Sequence, residues 1–249
     1  MIKNKLLLIL ILIPSITLNA QKNNGKVIYN KKSNAIIASK KKNSAAGLLL
    51  KKVFTYMDEI EYTLKFNEQS SIFRIKEKMT LDVNRNSMAI QLSENLGGGN
   101  GTYYTNRRKE MLYHQKEFES EIYLIQHSEV IDWKLSQEKK KIGIYTCYKA
   151  TKKDFFIGSS GNQIPRNITA WYSPEIPYSF GPLKYNGLPG LILELSNDKV
   201  TFFAKKIYLN IKEKMSIEKP KKGIEISKKK YDSITRGLAA GFSKRYKRN

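Results

Sequence analysis

Apolar and polar residues alternate along much of this chain. Successive side chains of a strand point to opposite faces, so the pattern predicts half-buried β-strands. Ile60, Tyr62, Leu64 and Phe66 interleave with Glu61, Thr63 and Lys65. Met88, Ile90 and Leu92 repeat the spacing, as do Ile131, Trp133 and Leu135. Ile142, Ile144, Thr146 and Tyr148 share one face of another predicted strand. Weaker strand patterns cover 26–31, 71–76, 102–106, 111–115, 119–126, 167–172, 191–195 and 200–208. Turn chemistry separates these runs: a glycine-rich hairpin tip at 97–101, a polar turn at 137–141 and a loop at 158–162. Connections this short join antiparallel neighbours, because parallel pairs need long crossovers.

Two stretches carry helical spacing instead. From Ala45 to Met57, Leu49, Val53 and Met57 form one stripe with Leu50 and Phe54 beside it. Near the C-terminus Ser227 can cap a helix running to about Lys247, with Tyr231, Ile234, Leu238 and Phe242 on one side. The expected fold is therefore mainly β: a curled antiparallel sheet, or half-barrel, with one helix near the N-terminus and one at the C-terminus. Residues 21–210 read as a single domain, and 211–249 as a basic tether followed by the helix.

The first twenty residues follow a different pattern. Lys3 and Lys5 precede an unbroken apolar run of eight, Leu6–Ile13; Pro14 and Ser15 break it, and Leu18-Asn19-Ala20 ends on a small residue. That order predicts a secretory signal peptide at 1–20, cleaved near Ala20. A membrane anchor is the alternative, but spanning a bilayer takes roughly 20 apolar residues. No cysteine follows the cut, so no lipid anchor is expected. The expected location is periplasmic or secreted, in the cell envelope.

Charge changes the picture less than its total suggests. The chain carries 45 basic and 22 acidic residues, a formal +23. Residues 22–52 hold nine lysines and no acid, and 211–249 hold thirteen basic against four acidic side chains; after loss of the leader, 53–210 retains only +3. A phosphate-tracking groove needs its charge on the folded face, interleaved with aromatics. These lysines cluster as 40–42, 139–141 and 228–230, which describes a solvated surface or one loosely attracted to anionic lipid or glycan. Nucleic acid is not an expected partner.

Chemistry has few residues to work with. The chain has no glycine-rich phosphate loop, His-Glu-x-x-His or Gly-x-Ser-x-Gly motif. His114 and His127 are the only histidines, and Cys147 the only cysteine. Neighbouring strands could bring the two histidines together, but they suit a polar strand face as well. Cys147, in the strand-like run 144–148, reads as buried. No catalytic residue, cofactor or metal site is predicted, and an enzyme is the last of the readings considered.

The unusual stretch is 170–195, which holds four of the seven prolines beside five aromatics. Pro189 and Gly190 suit a type II turn, where glycine takes the positive φ. The stretch is a stiff apolar connection that either plugs the open end of the core or lines a ligand site. As a ligand site it would use Trp171, Ile176, Pro177, Tyr178, Phe180, Gly181, Pro182, Gly187, Leu188, Pro189, Gly190, Leu191 and Ile192.

Gly187-Leu188-Pro189-Gly190-Leu191-Ile192 resembles the naming motif of the GLPGLI family, exported proteins of Bacteroidota whose function is unassigned. Cys147-Tyr148-Lys149-Ala150-Thr151, Ala170-Trp171-Tyr172, Glu175-Ile176-Pro177 and Gly181-Pro182 are similar to the family pattern in order and spacing. An early strand ending in Tyr29 and the run Leu64-Lys65-Phe66 also look alike. The resemblance implies export and an envelope location, and supplies no catalytic residue. A curled sheet with helices on its concave side also resembles Lol-type lipoprotein carriers at the level of fold.

These features suggest a non-catalytic binding or carrier protein for an apolar ligand, a lipid or a lipoprotein. The alternative is a structural or interaction module that partners an outer-membrane receptor or surface assembly. A small outer-membrane barrel is a third reading, opposed by Lys65, Arg74 and Lys134 at strand positions.

Overall fold

The computed structural model describes residues 23–34, 44–76, 88–128, 131–158, 161–213 and 215–246, with the side chains of the last helix as far as Leu238. The leader read at 1–20 and the lysine cluster 40–42 lie outside the described residues. The elements in chain order begin with β1 (Asn24–Ser33), α1 (Ala45–Glu59), β2 (Glu61–Asn67), β3 (Ser70–Ile75) and α2 (Met88–Asn95). There follow β4 (Thr102–Asn106), β5 (Met111–Phe118), β6 (Glu121–His127), β7 (Lys134–Ile142), β8 (Tyr145–Ile157) and β9 (Gln163–Ser173). The chain closes with β10 (Leu191–Ser196), β11 (Val200–Leu209), β12 (Ile224–Ser227) and α3 (Lys228–Tyr246).

The twelve strands among the described residues join one open sheet, ordered β12-β6-β5-β4-β3-β2-β1-β11-β10-β9-β8-β7. The mainly β expectation holds, and the sheet does not close into a barrel. It is mixed rather than purely antiparallel, because β12 runs parallel to β6, pairing Ile224 with Tyr123 and Ser227 with Gln126. Nearly a hundred residues separate those two strands, ample for a parallel crossover. Residues 212–226, read as a tether, thus end in a strand.

The sheet curls strongly. Helix α3 touches β6 and β8, which stand second and eleventh in the strand order, so the two ends of the sheet approach each other beneath one helix. Ser227 caps α3 by accepting from the Lys230 N–H at 3.3 Å. Tyr231 seats the helix edge-on against Phe118 and Tyr123. At the other helical face, Ser44 caps α1 by accepting from the Gly47 N–H at 3.1 Å, and Val53 and Met57 are buried toward β1.

Four local expectations are corrected. Met88–Leu92 forms α2 rather than a strand: Ala89, Ile90 and Ser93 are buried at helical spacing, while Met88 and Leu92 are exposed. Three alternating apolar residues are too few to separate the two periods. The polar run 137–141 is not a turn but the middle of β7, an edge strand whose residues are mostly exposed. Lysines on an edge discourage pairing with other chains. The turn lies at Gly143 and Ile144, so Ile142 and Ile144 do not share a strand with Thr146 and Tyr148. The glycines at 97–101 lead from α2 into β4 and make no hairpin.

Lys31 ties α2 to the sheet. It is fully buried in β1, and the carbonyl oxygens of Ser93, Glu94, Leu96 and Gly98 share its three N–H donors, each 2.8–3.1 Å from Nζ. Those carbonyls are the unpaired acceptors that follow the end of a helix, where a cation is favoured. Burial lowers the Lys31 pKa to about 7, and the Glu94 carboxylate works in the opposite direction.

Candidate functional site

The proline-rich stretch packs onto the core. Ile176, Phe180, Leu188, Leu191 and Ile192 are almost fully buried in the main cluster; Trp171 and Tyr178 are half-buried against it. Gly181, Pro182 and Gly190 are also buried, whereas Pro177, Gly187 and Pro189 face outward. Backbone bonds pin the segment: Leu191 N–H donates to Ile176 O at 3.0 Å and Ile192 N–H to Phe180 O at 2.9 Å. Trp133 Nε1 reaches across from the start of β7 to the Asn186 carbonyl at 2.9 Å. Gly190 sits at φ +153°, not the value of a type II turn, with its N–H on the Leu188 carbonyl at 2.8 Å. A Cβ there would meet the Ser173 carbonyl oxygen at 2.2 Å. Only glycine fits that approach.

The same stretch then forms one wall of a hollow of about 610 Å³. From it come Leu183, Lys184 and Tyr185. Strands β5 and β6 contribute His114, Lys116, Phe118, Ile125 and His127 from one face; β8 and β9 contribute Phe155, Ile157 and Arg166. Helix α3 covers the space with Lys228, Tyr231, Thr235 and Leu238. This volume falls within the usual range of small-molecule sites, roughly 300–1,000 Å³.

Polar groups gather on the wall shared by β8, β9 and the proline-rich stretch. Tyr185 Oη donates to Asp154 Oδ2 at 2.6 Å, Lys184 Nζ lies 3.1 Å from the same oxygen, and the Arg166 guanidinium 3.6 Å away. Burial opposes ionisation of Asp154, yet Lys184 and the Tyr185 hydroxyl hold its carboxyl well below the usual range. The Nε of Arg166 is buried with no hydrogen-bond partner.

The two histidines face the same space and differ in their bonding. His114 stacks on Tyr103 with ring centroids 3.8 Å apart, and its Nε2 lies 2.9 Å from the Asn100 carbonyl. Burial lowers its pKa to about 3, with Lys116 and Lys228 adding to the effect and the Asn100 contact opposing it. His127 is 7% exposed, and neither ring nitrogen has a hydrogen-bond partner. Burial drives its pKa well down, reinforced by Lys184, His114 and Lys228 against Asp154. A buried polar group left unpaired costs about 1–3 kcal/mol. Both rings are neutral at pH 7 and offer one donor and one acceptor each.

The arrangement can bind a ligand with an apolar body and a polar or charged end. Sequence reasoning noted both histidines but had no reason to join them to Asp154, Arg166 or Lys184. The grouping brings β5–β6 and β8–β9 to one space across the curl of the sheet, and no local motif encodes it. Cys147 lies in the main core, where burial pushes its thiol up to about 11. Among the described residues, no three His, Cys, Asp or Glu side chains converge as a metal-ligand set.

A family model described as a protein of unknown function (Porph_ging) matches residues 158–194, from the β8–β9 loop through the proline-rich stretch to β10. No curated protein matches. Among solved structures, the chain is similar to PNGF-II in a P21 crystal form, with a TM-score of 0.52 and 14% identity over 86% of this chain. The C2 form of PNGF-II gives a TM-score of 0.50 and 13% identity over 87% of this chain. The chain spans 33% of the length of PNGF-II in either form, and at this identity the likeness is one of fold.

Proposed function

We propose that this chain is an exported envelope protein of the GLPGLI type, a non-catalytic binding or carrier protein whose ligand sits in the hollow beneath α3. A leader of signal-peptide form at 1–20 supports a periplasmic or secreted location. The observation that carries the reading is the 610 Å³ space, faced by a buried histidine without a hydrogen-bond partner. Residues 170–192 take part as a rigid backing that delivers Leu183, Lys184 and Tyr185. A lipid, or the acyl part of a lipoprotein, has the size and apolar character the walls accept.

A second reading is an interaction module for an outer-membrane receptor or surface assembly. It is favoured by the solid packing of Leu188–Ile192 and by the two open sheet edges, β7 and β12. The two readings separate in a titration with an environment-sensitive apolar dye, in competition with lipid extracts. The carrier reading expects saturable binding that is lost in Thr235→Trp, where an indole on α3 would fill the space. No binding by the wild-type protein, or binding unchanged by that substitution, would rule out the hollow as the carrier site.

A further inference from the structure

The charges around the hollow define the ligand more narrowly. Four basic side chains line it: Lys116, Arg166, Lys184 and Lys228. Three carboxylates answer them. Asp232 pairs with Lys228, Asp154 behind the wall pairs with Lys184 and Arg166, and Glu119 lies on the rim. Among the described residues, four against three leaves one positive charge in surplus. Lys116 is the member of the four without an ion pair there, and its ammonium has the Tyr231 ring 5.7 Å away.

His127 marks where a ligand's polar end would go. Its ring lines the space, is nine-tenths buried and has neither nitrogen satisfied. The charged and titratable groups acting on it come from every neighbouring element: His114 from β5, Asp154 from β8, Lys184 from the proline-rich stretch and Lys228 from α3. Lys116 and Lys228 act in the same way on His114. The space around the two rings is therefore a positive, largely dehydrated spot, where an anion is held more strongly than in water. The wall beyond it, with Ile125, Ile157 and Leu183, is apolar.

We propose that the hollow binds an amphiphile with one anionic headgroup, a carboxylate or a phosphate monoester. The headgroup sits at the His127 ring under Lys228, with Lys116 adding its charge from the His114 side, and the hydrocarbon tail lies along Ile125, Ile157 and Leu183. This deepens the binding-protein reading and rests on it. A neutral imidazole donates to the anion, and the headgroup's negative charge offsets the surplus positive charge of the walls.

The test compares ligands of one tail length and different heads. Dodecanoate, dodecyl phosphate, dodecanol and dodecyltrimethylammonium are titrated below their micelle concentrations, with acetate and inorganic phosphate as tail-free controls. The expected result is that dodecanoate or dodecyl phosphate binds at least about tenfold more tightly than dodecanol. The cationic amphiphile binds worst, the controls fail to bind, and the advantage of the anion shrinks in Lys116→Gln and with rising salt. In the wild-type protein the ring nitrogen resonances of His127 shift on adding dodecanoate, which keeps the placement testable even if the variant folds poorly. Equal affinity for dodecanol and dodecanoate, or an unmoved His127 ring, overturns the anionic assignment and leaves a carrier of neutral ligands. Controls binding as tightly as the amphiphiles overturn the role of the tail. If no amphiphile binds, the binding-protein reading fails as well.

Discussion

The Tyr29 hydroxyl donates to the Ile192 carbonyl at 2.6 Å, joining two residues that lie 163 positions apart. Strand β10 pairs Ile192 with Tyr172 and Glu194 with Trp171, so Leu193 is an extra residue between them. Such a bulge takes backbone groups out of the ladder, and the Tyr29 phenol from β1 supplies the donor. Burial holds that phenol far above its ordinary pKa, so it remains a donor throughout the useful pH range. The early tyrosine and the glycine- and proline-rich motif are thus two halves of one contact.

Tyr29→Phe removes that donor and keeps the ring. The expected cost is about 1–3 kcal/mol, the penalty of one buried acceptor left without its partner. Urea unfolding of the wild type and variant measures it, and a change in midpoint at constant slope is the expected form. Equal midpoints would show that another donor serves the Ile192 carbonyl.

Gly190→Ala tests the close approach of the motif to the end of β9. The added Cβ would fall 2.2 Å from the Ser173 carbonyl oxygen at a φ that L-residues rarely adopt. A loss of roughly 3 kcal/mol or more is expected, since strain and backbone displacement act together. Gly187→Ala is the contrast: φ is +91° there but no atom lies within 4 Å of a Cβ, so the cost is conformational alone and smaller. Thermal melts of the two variants should separate them clearly, with Gly190→Ala much the lower.

The histidines set a pH dependence with a definite sign. In the unfolded chain each ring titrates near 6.5; in the folded protein His114 titrates at about 3, and His127 well below 6.5. Between those values the unfolded state binds more protons, so stability falls as pH drops from about 6.5. The loss approaches about 1.4 kcal/mol per pH unit for each ring. Asp154 and Glu61, whose carboxyls are held low in the fold, add their loss only below about pH 4.5. Unfolding free energies measured from pH 7 to 4.5 should therefore slope downward in the wild type. The slope should flatten in His127→Gln. A wild-type profile flat over that range would contradict the buried neutral rings.

The strands were legible where one face meets the core and the other meets water. Tyr62, Leu64 and Phe66 in β2 alternate because their neighbours point away from the core. The pattern fails where that asymmetry is absent. Residues 137–141 of edge strand β7 are polar on both faces and read as a turn; α2 is too short for its period to declare itself; β12 has four residues and owes its place to its partner β6. The plug-or-site stretch was visible from its prolines, but the hollow beside it was not. That space exists because α3 draws β6 and β8 together, and the resulting meeting of His127 with Lys184 and Asp154 spans three distant segments.

The most direct measurement of the central claim is a map of backbone amide shifts as dodecanoate is added to the folded protein. Shifts are expected at His127, Ile125, Leu183, Tyr185 and Tyr231, around the space beneath α3. Shifts centred instead on the outer surface of Pro177, Gly187 and Pro189, or spread over α1 and α2, would contradict it.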